Sequence, residues 1–203
     1  MKRLFLIGLA ACLCATGCDD SKNPLSNPQT SKADERLIGV WLERADDGDV
    51  YYHVGHAGDK FPACVMRIVE VKHSKGKLEA PAEYLAFPTV IGDKTYLNFV
   101  LDGDKKLVKS LDEKGWKDVE VDCYTFLKYQ IDGDKLLVWS IDEDAKQKAI
   151  SSGKVRGVKE PDQPAKFTDT TKNVARFVKE AGDGLWDTKN AGRLERVNVG
   201  KKP

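Results

Sequence analysis

Residues 125–143 read TFLKYQIDGDKLLVWSIDE, and this stretch decides the fold class. It closes the run Val119–Ile131. In that run Val119, Val121, Cys123, Thr125, Leu127, Tyr129 and Ile131 alternate with Glu120, Asp122, Tyr124, Phe126, Lys128 and Gln130. A period of two predicts an antiparallel strand with one buried and one wet face. Asp132-Gly133-Asp134 then separates it from a second apolar run, Lys135–Ser140. Asp-Gly between two such runs is a hairpin signal, because the turn needs positive φ.

The same pattern occurs thirty residues earlier. TYLNFVLDGDKKLVKSLDE starts at Thr95 and matches the Thr125 copy at eleven of nineteen positions. Each copy reads as strand, Asp-Gly turn, strand. Each then ends in Ser-x-x-Glu (Ser110…Glu113 and Ser140…Glu143), which fits a helix capping box. Two copies are too few for a solenoid. They predict successive hairpins in one meander.

Further strands are expected at Ile38–Arg44, Val50–His56, Ala63–His73, Glu83–Val90, Lys94–Leu101 and Arg193–Val199, all rich in β-branched and aromatic residues. Asp46-Asp47-Gly48-Asp49, Gly92-Asp93 and Asp102-Gly103-Asp104 supply turns. The second copy continues into a helix to about Ser152, ending at Gly153. Past a Pro-bearing loop at 160–166, Thr168-Asp169-Thr170-Thr171 is suited to capping. Val174, Phe177, Val178 and Ala181 then recur at helical spacing up to Gly182 and Gly184. The fold class is mainly β (α+β): an antiparallel meander or small barrel with two helices in the C-terminal third. The 203 residues suit one domain, placed at 37–203.

The chain opens MKRLFLIGLAACLCATGC. Lys2 and Arg3 precede an uncharged, mostly apolar run from Leu4 to Ala15. That run suits the core of a signal peptide and is too short to span a bilayer. Its end, Ala15-Thr16-Gly17-Cys18, resembles a bacterial lipoprotein lipobox. The resemblance implies a signal peptide at 1–17 and lipid on Cys18. Leu9-Ala10-Ala11-Cys12 is the alternative, but cleavage there leaves only eight apolar residues from Leu4 to Ala11. A lipid-anchored protein of the cell envelope is implied, facing the periplasm or exterior, with inner or outer membrane left open. Residues 18–36 are polar and carry two prolines, and read as a disordered tether.

Of five cysteines, Cys12 and Cys14 leave with the signal and Cys18 takes lipid. Cys64 and Cys123 remain. An oxidising compartment makes them candidate disulfide partners. Two separate buried thiols is the other reading.

Gly39-Val40-Trp41 opens the folded part. A Gly-x-Trp on the first strand resembles the opening signature of the lipocalins, small antiparallel barrels that hold apolar ligands. In that family the Trp packs at the barrel base under a late Arg. Trp41 takes the Trp position, and Arg193 or Arg196 the Arg. The family's Thr-Asp-Tyr motif is absent.

Catalytic chemistry is not legible. Lys and Arg number 33 against 32 Asp and Glu, which argues against nucleic acid as a partner. His53 and His56 fall on opposite strand faces, and neither they nor His73 have metal-site spacing. The Asp-Gly turns lack the calcium-loop pattern. No cofactor fingerprint occurs. Arg67 interrupts Val65, Val69 and Val71. It reads as a charge meeting a ligand inside the barrel, a buried ion pair, or a bulge turning outward. Trp41 and Arg67 are the candidate ligand contacts.

Three functions follow. The first is a lipid-anchored barrel binding a small apolar or amphipathic ligand. The second is an envelope interaction, assembly or inhibitor protein with a filled barrel. The third, resting on carboxylate supply alone, is an envelope hydrolase.

Overall fold

The computed structural model describes residues 20–45, 48–100, 106–161 and 163–197. The strands are β1 (Gly39–Ala45), β2 (Gly48–His56), β3 (Met66–Ser74), β4 (Lys77–Leu78), β5 (Ala82–Ile91), β6 (Lys94–Val100), β7 (Tyr124–Asp132), β8 (Lys135–Ser140), β9 (Gly157–Val158), β10 (Lys166–Phe167) and β11 (Gly192–Arg196). The helices are α1 (Lys106–Lys114), α2 (Glu143–Ser151) and α3 (Thr171–Ala181). The signal segment, Cys18, Asp46-Asp47 and Asp102–Asp104 lie outside the described residues.

Eight strands close into an antiparallel barrel. The order runs β2-β1-β11-β8-β7-β6-β5-β3, and β2 pairs with β3 to complete the ring. Closure removes the exposed edges that an open sheet of this length would carry. β1, β3, β6 and β8 run from one end to the other, and β2, β5, β7 and β11 run back. The start end of β1 holds the 3-10 turn Glu35–Leu37 and is called here the plugged end. The other is called the mouth.

The wall separates two apolar cores. Inside are Leu37, Trp41, Val50, Tyr52, Met66, Ile68, Ala86, Leu97, Phe99, Leu127, Tyr129, Leu136, Val138 and Leu194. Outside, Phe87, Tyr96, Tyr124 and Phe126 pack under the helices through Leu111, Trp116, Val174, Phe177 and Val178. Phe87 meets Trp116 and Tyr124 edge-on, at 6.0 and 6.3 Å between ring centroids. The wet face expected for the β7 strand is therefore dry at Tyr124 and Phe126, because the helical layer covers it. That strand also begins later, at Tyr124 rather than Val119, since 116–118 form a 3-10 turn.

The repeat splits. The second copy forms the β7–β8 hairpin, while 106–114 of the first copy is helix α1. Two residues account for this. Leu136 and Trp139 become Lys106 and Lys109. As a strand, the first copy would turn Lys106 to the face on which Leu136 and Val138 fill the barrel. As a helix, Leu107, Val108 and Leu111 pack against the outer core and the lysines face water. At the second copy the expected capping box is replaced by Asp142, whose carboxylate accepts from the Ala145 amide at 2.9 Å.

The reading of 18–36 as a disordered tether fails from Asp20 onward. Residues 20–33 run along the outer wall as an ordered strap, which turns in at the plugged end over 34–37. At the mouth, Asp20 and Ser21 donate to the Tyr124 carbonyl at 2.8 and 3.0 Å, and Phe167 donates to the Asp20 carbonyl at 2.7 Å. Midway, the Leu25 amide donates to Asn98 Oδ1 at 2.7 Å, and the Ser26 hydroxyl meets that of Thr89 at 2.5 Å. At the plugged end the Tyr129 hydroxyl donates to Asp34 at 2.8 Å. The strap is polar in sequence because most of its binding is hydrogen bonding, with Leu25 as the buried apolar anchor.

Candidate functional site

The barrel interior is the natural candidate, and it is built from inward-facing alternation. Leu37, Trp41, Tyr52, Val54, Met66, Ile68, Leu97, Phe99, Leu127, Leu136, Val138 and Leu194 surround a cavity of about 30 Å³. Ligand pockets offer roughly 300–1,000 Å³. The interior is essentially filled by its own side chains.

One end is shut by a stack. The Arg196 guanidinium lies 4.2 Å over the Trp41 ring and donates to the carbonyls of Ile38 (2.8 Å) and Arg36. Trp41 Nε1 donates to the Leu37 carbonyl at 2.8 Å. Gly39 sits at φ 132°, and a Cβ there would lie 2.7 Å from Arg196 Nη1. Gly39, Trp41 and Arg196 thus form one unit: the glycine leaves the gap through which the arginine reaches the tryptophan. Of the two arginines considered, Arg196 meets Trp41; Arg193 is exposed.

Toward the mouth the interior turns polar. Glu43 and Glu70 are 4% and 7% exposed. The Tyr52 hydroxyl donates to Glu43 Oε2 at 2.9 Å. The Tyr84 hydroxyl hydrogen-bonds Glu70, whose Oε2 has no partner. Burial pushes the Glu70 carboxyl above its ordinary value and the Glu43 charge adds to this. The Tyr84 hydrogen bond and the Lys72 charge recover only part. Burial beside Glu43 likewise drives the Tyr52 hydroxyl far up. Both glutamates fall on the inward parity of their strands, with Trp41 and with Met66 and Ile68. That parity was the signal in the sequence.

Arg67 is not inside. Met66, Ile68 and Glu70 hold the inward face of β3, so Arg67 points out. It pairs there with Glu83 at 2.7 Å and with Asp112. An arginine in the interior would need a buried partner, whereas outside it links the wall to α1.

Cys64 and Cys123 are not joined in a disulfide. They precede β3 and β7, which β5 and β6 separate. Three ladder spacings are about 14 Å, beyond what a disulfide bridges. Cys64 Sγ instead donates to the Pro28 carbonyl of the strap at 3.1 Å, and burial pushes its pKa up to about 11.

A second buried polar centre holds the strap. Lys146 on α2 is 1% exposed and meets Asp20 Oδ1 and Glu143 Oε2, each at 2.7 Å. Asp20 Oδ2 accepts from the Phe126 amide at 2.9 Å. Burial alone would lower the Lys146 pKa, and the two carboxylates outweigh it and hold it raised. Nothing in the sequence pattern marks this pair, 126 residues apart.

Among the described residues, no group of His, Cys, Asp and Glu is arranged to hold a metal ion, and no helix is long and apolar enough to cross a membrane. His53, His56 and His73 are all exposed. The chain matches no protein-family model, and neither the curated proteins nor the solved structures contain one similar to it.

Proposed function

We propose that the chain is a lipid-anchored cell-envelope protein that works through the outer surface of a filled barrel, as an interaction, assembly or inhibitor protein. The filled interior carries this reading. About 30 Å³ holds little more than a water molecule, which favours a filled barrel over storage of an apolar ligand. The Gly39–Trp41–Arg196 unit supports a likeness to the lipocalin barrel in architecture. The signal-like N-terminus supports the envelope address. Crosslinking in cells from photoreactive residues on the outer wall tests it: a discrete partner adduct is expected, and monomer alone at every site contradicts it.

A second reading is favoured by one observation, the unmet Oε2 of Glu70. A small amphipathic ligand could enter at the mouth and donate a hydrogen bond to that oxygen, displacing side chains below. A thermal-shift panel of amines and neutral amphiphiles tests this. A saturable shift lost in Glu70→Gln supports it, and no shift removes it.

A further inference from the structure

The strand directions fix which end of the barrel the anchor leaves from. β7 starts at Tyr124 on the mouth rim, and the backbone of Asp20 and Ser21 is bonded to that residue. The Asp20 carboxylate is held by Lys146 and the Phe126 amide. Cys18 is two residues away, a reach of at most about 7 Å. A lipid on Cys18 therefore leaves from the mouth rim with almost no slack. The plugged end, at the far end of the strap, is carried away from the bilayer.

The same rim carries the β3–β4 hairpin. Its turn is Lys75-Gly76, with φ of 51° and 75°, the positive pair that a tight two-residue hairpin requires. Residues 72–79 read KHSKGKLE: three lysines and a histidine against one glutamate. Leu78 is 71% exposed, the most exposed large apolar side chain described. Asp49, opposite His73 across the ladder, is engaged by Arg44 at 3.8 Å. The basic charge is local to this hairpin: the β1–β2 connection on the same rim reads Asp46-Asp47-Gly48-Asp49 in sequence, and the plugged-end turns carry Asp93, Asp132 and Asp134 beside Lys94 and Lys135. An exposed leucine beside Lys77 and three residues from Lys75, with Glu79 on its other side, sits on the rim that holds the anchor and fits an anionic lipid surface: the alkyl group enters the acyl boundary and the ammonium groups meet phosphates.

We propose that the mouth rim seats on the membrane that holds the lipid, with Lys75, Lys77 and Leu78 among anionic headgroups. This rests on the reading of Cys18 as the lipidated residue. The test is a lysine-acylation footprint of the full lipoprotein. It is read by mass spectrometry in detergent, in phosphatidylcholine vesicles, and in vesicles containing phosphatidylglycerol. Labelling of Lys75 and Lys77 is expected to fall about fivefold or more in the anionic vesicles, while Lys135 at the plugged end changes less than about twofold. Acylated protein in which Lys75 and Lys77 label like Lys135 overturns the proposal and leaves the anchor reading intact. Equal protection in both vesicle types overturns the role of anionic headgroups. A Cys18 peptide without acyl chains overturns the anchor reading and this proposal with it.

Discussion

Arg196 closes the barrel by stacking over Trp41 at 4.2 Å, held by carbonyls from the strap end and from the residue before β1. Three contacts meet in one side chain, and their loss is felt together. Arg196→Ala is expected to destabilise by about 2 kcal/mol, from one cation–π contact and two charge-assisted hydrogen bonds. Arg196→Lys restores less than half, because an ammonium lacks the planar fork. Urea denaturation of the three proteins checks this.

Lys146 holds the strap by meeting Asp20 in a dry site. Lys146→Met leaves Asp20 buried without its counter-charge, at a cost of about 3–5 kcal/mol. Asp20→Asn in the same background costs less than the two changes summed, since each acts on one interaction. Limited proteolysis gives an independent view. Cleavage after Lys22 and Lys32 is expected to accelerate in Lys146→Met well before the barrel is cut. Strap and barrel cleaved at equal rates would contradict a separately held strap.

Glu70 makes stability depend on pH with a definite sign. Its folded carboxyl sits above the ordinary 4.5, so the folded chain keeps this proton to higher pH than the unfolded chain does. The contribution is fully present below about pH 4.5 and is lost as pH rises through the folded value. Tyr84, Glu43, Lys72 and Glu79 are the groups that act on it. Glu70→Gln keeps the Tyr84 hydrogen bond without the charge. Its melting temperature relative to the parent is therefore expected near equal at pH 4 and several degrees higher at pH 8. A constant difference across that range would contradict the assignment.

The Cys64 thiol, buried and raised to about 11, is expected to resist thiol reagents at pH 8 until the protein unfolds. Peptide mapping after labelling of the native and the denatured protein reads this directly. Both Cys64 and Cys123 are expected as labelled thiols in the denatured sample without reductant. A Cys64–Cys123 crosslinked peptide would contradict the separation of β3 and β7.

The barrel was legible because most of its strands alternate, and Lys135–Ser140 appears in the structure with the ends read from sequence. Alternation failed where a second layer covers the wall, since Phe126 then looks solvent-facing only by parity. It also failed at α1, where Leu107, Val108 and Leu111 fit either period and only the placement of Lys106 and Lys109 decides. The strap was illegible for a different reason. Asp20, Ser26 and Asp34 gain order through partners far along the chain, and no local pattern encodes Lys146, Thr89 or Tyr129. Of the two ligand candidates, Trp41 lies in the inner core, the position that the lipocalin resemblance implies. Arg67 left three readings open in sequence; it is ion-paired and faces outward without a bulge, because Met66, Ile68 and Glu70 take the inward face of β3.

The central claim is that the interior is full. Phe99 lines the cavity and is buried, so Phe99→Ala opens a void large enough for a benzene-sized guest. Thermal shift with benzene is to be measured on the parent and on Phe99→Ala. No shift is expected for the parent and a saturable rise for the variant. A saturable rise for the parent, matched by an amphiphile of a dozen or more heavy atoms, would show that the barrel takes ligands and contradict a filled interior.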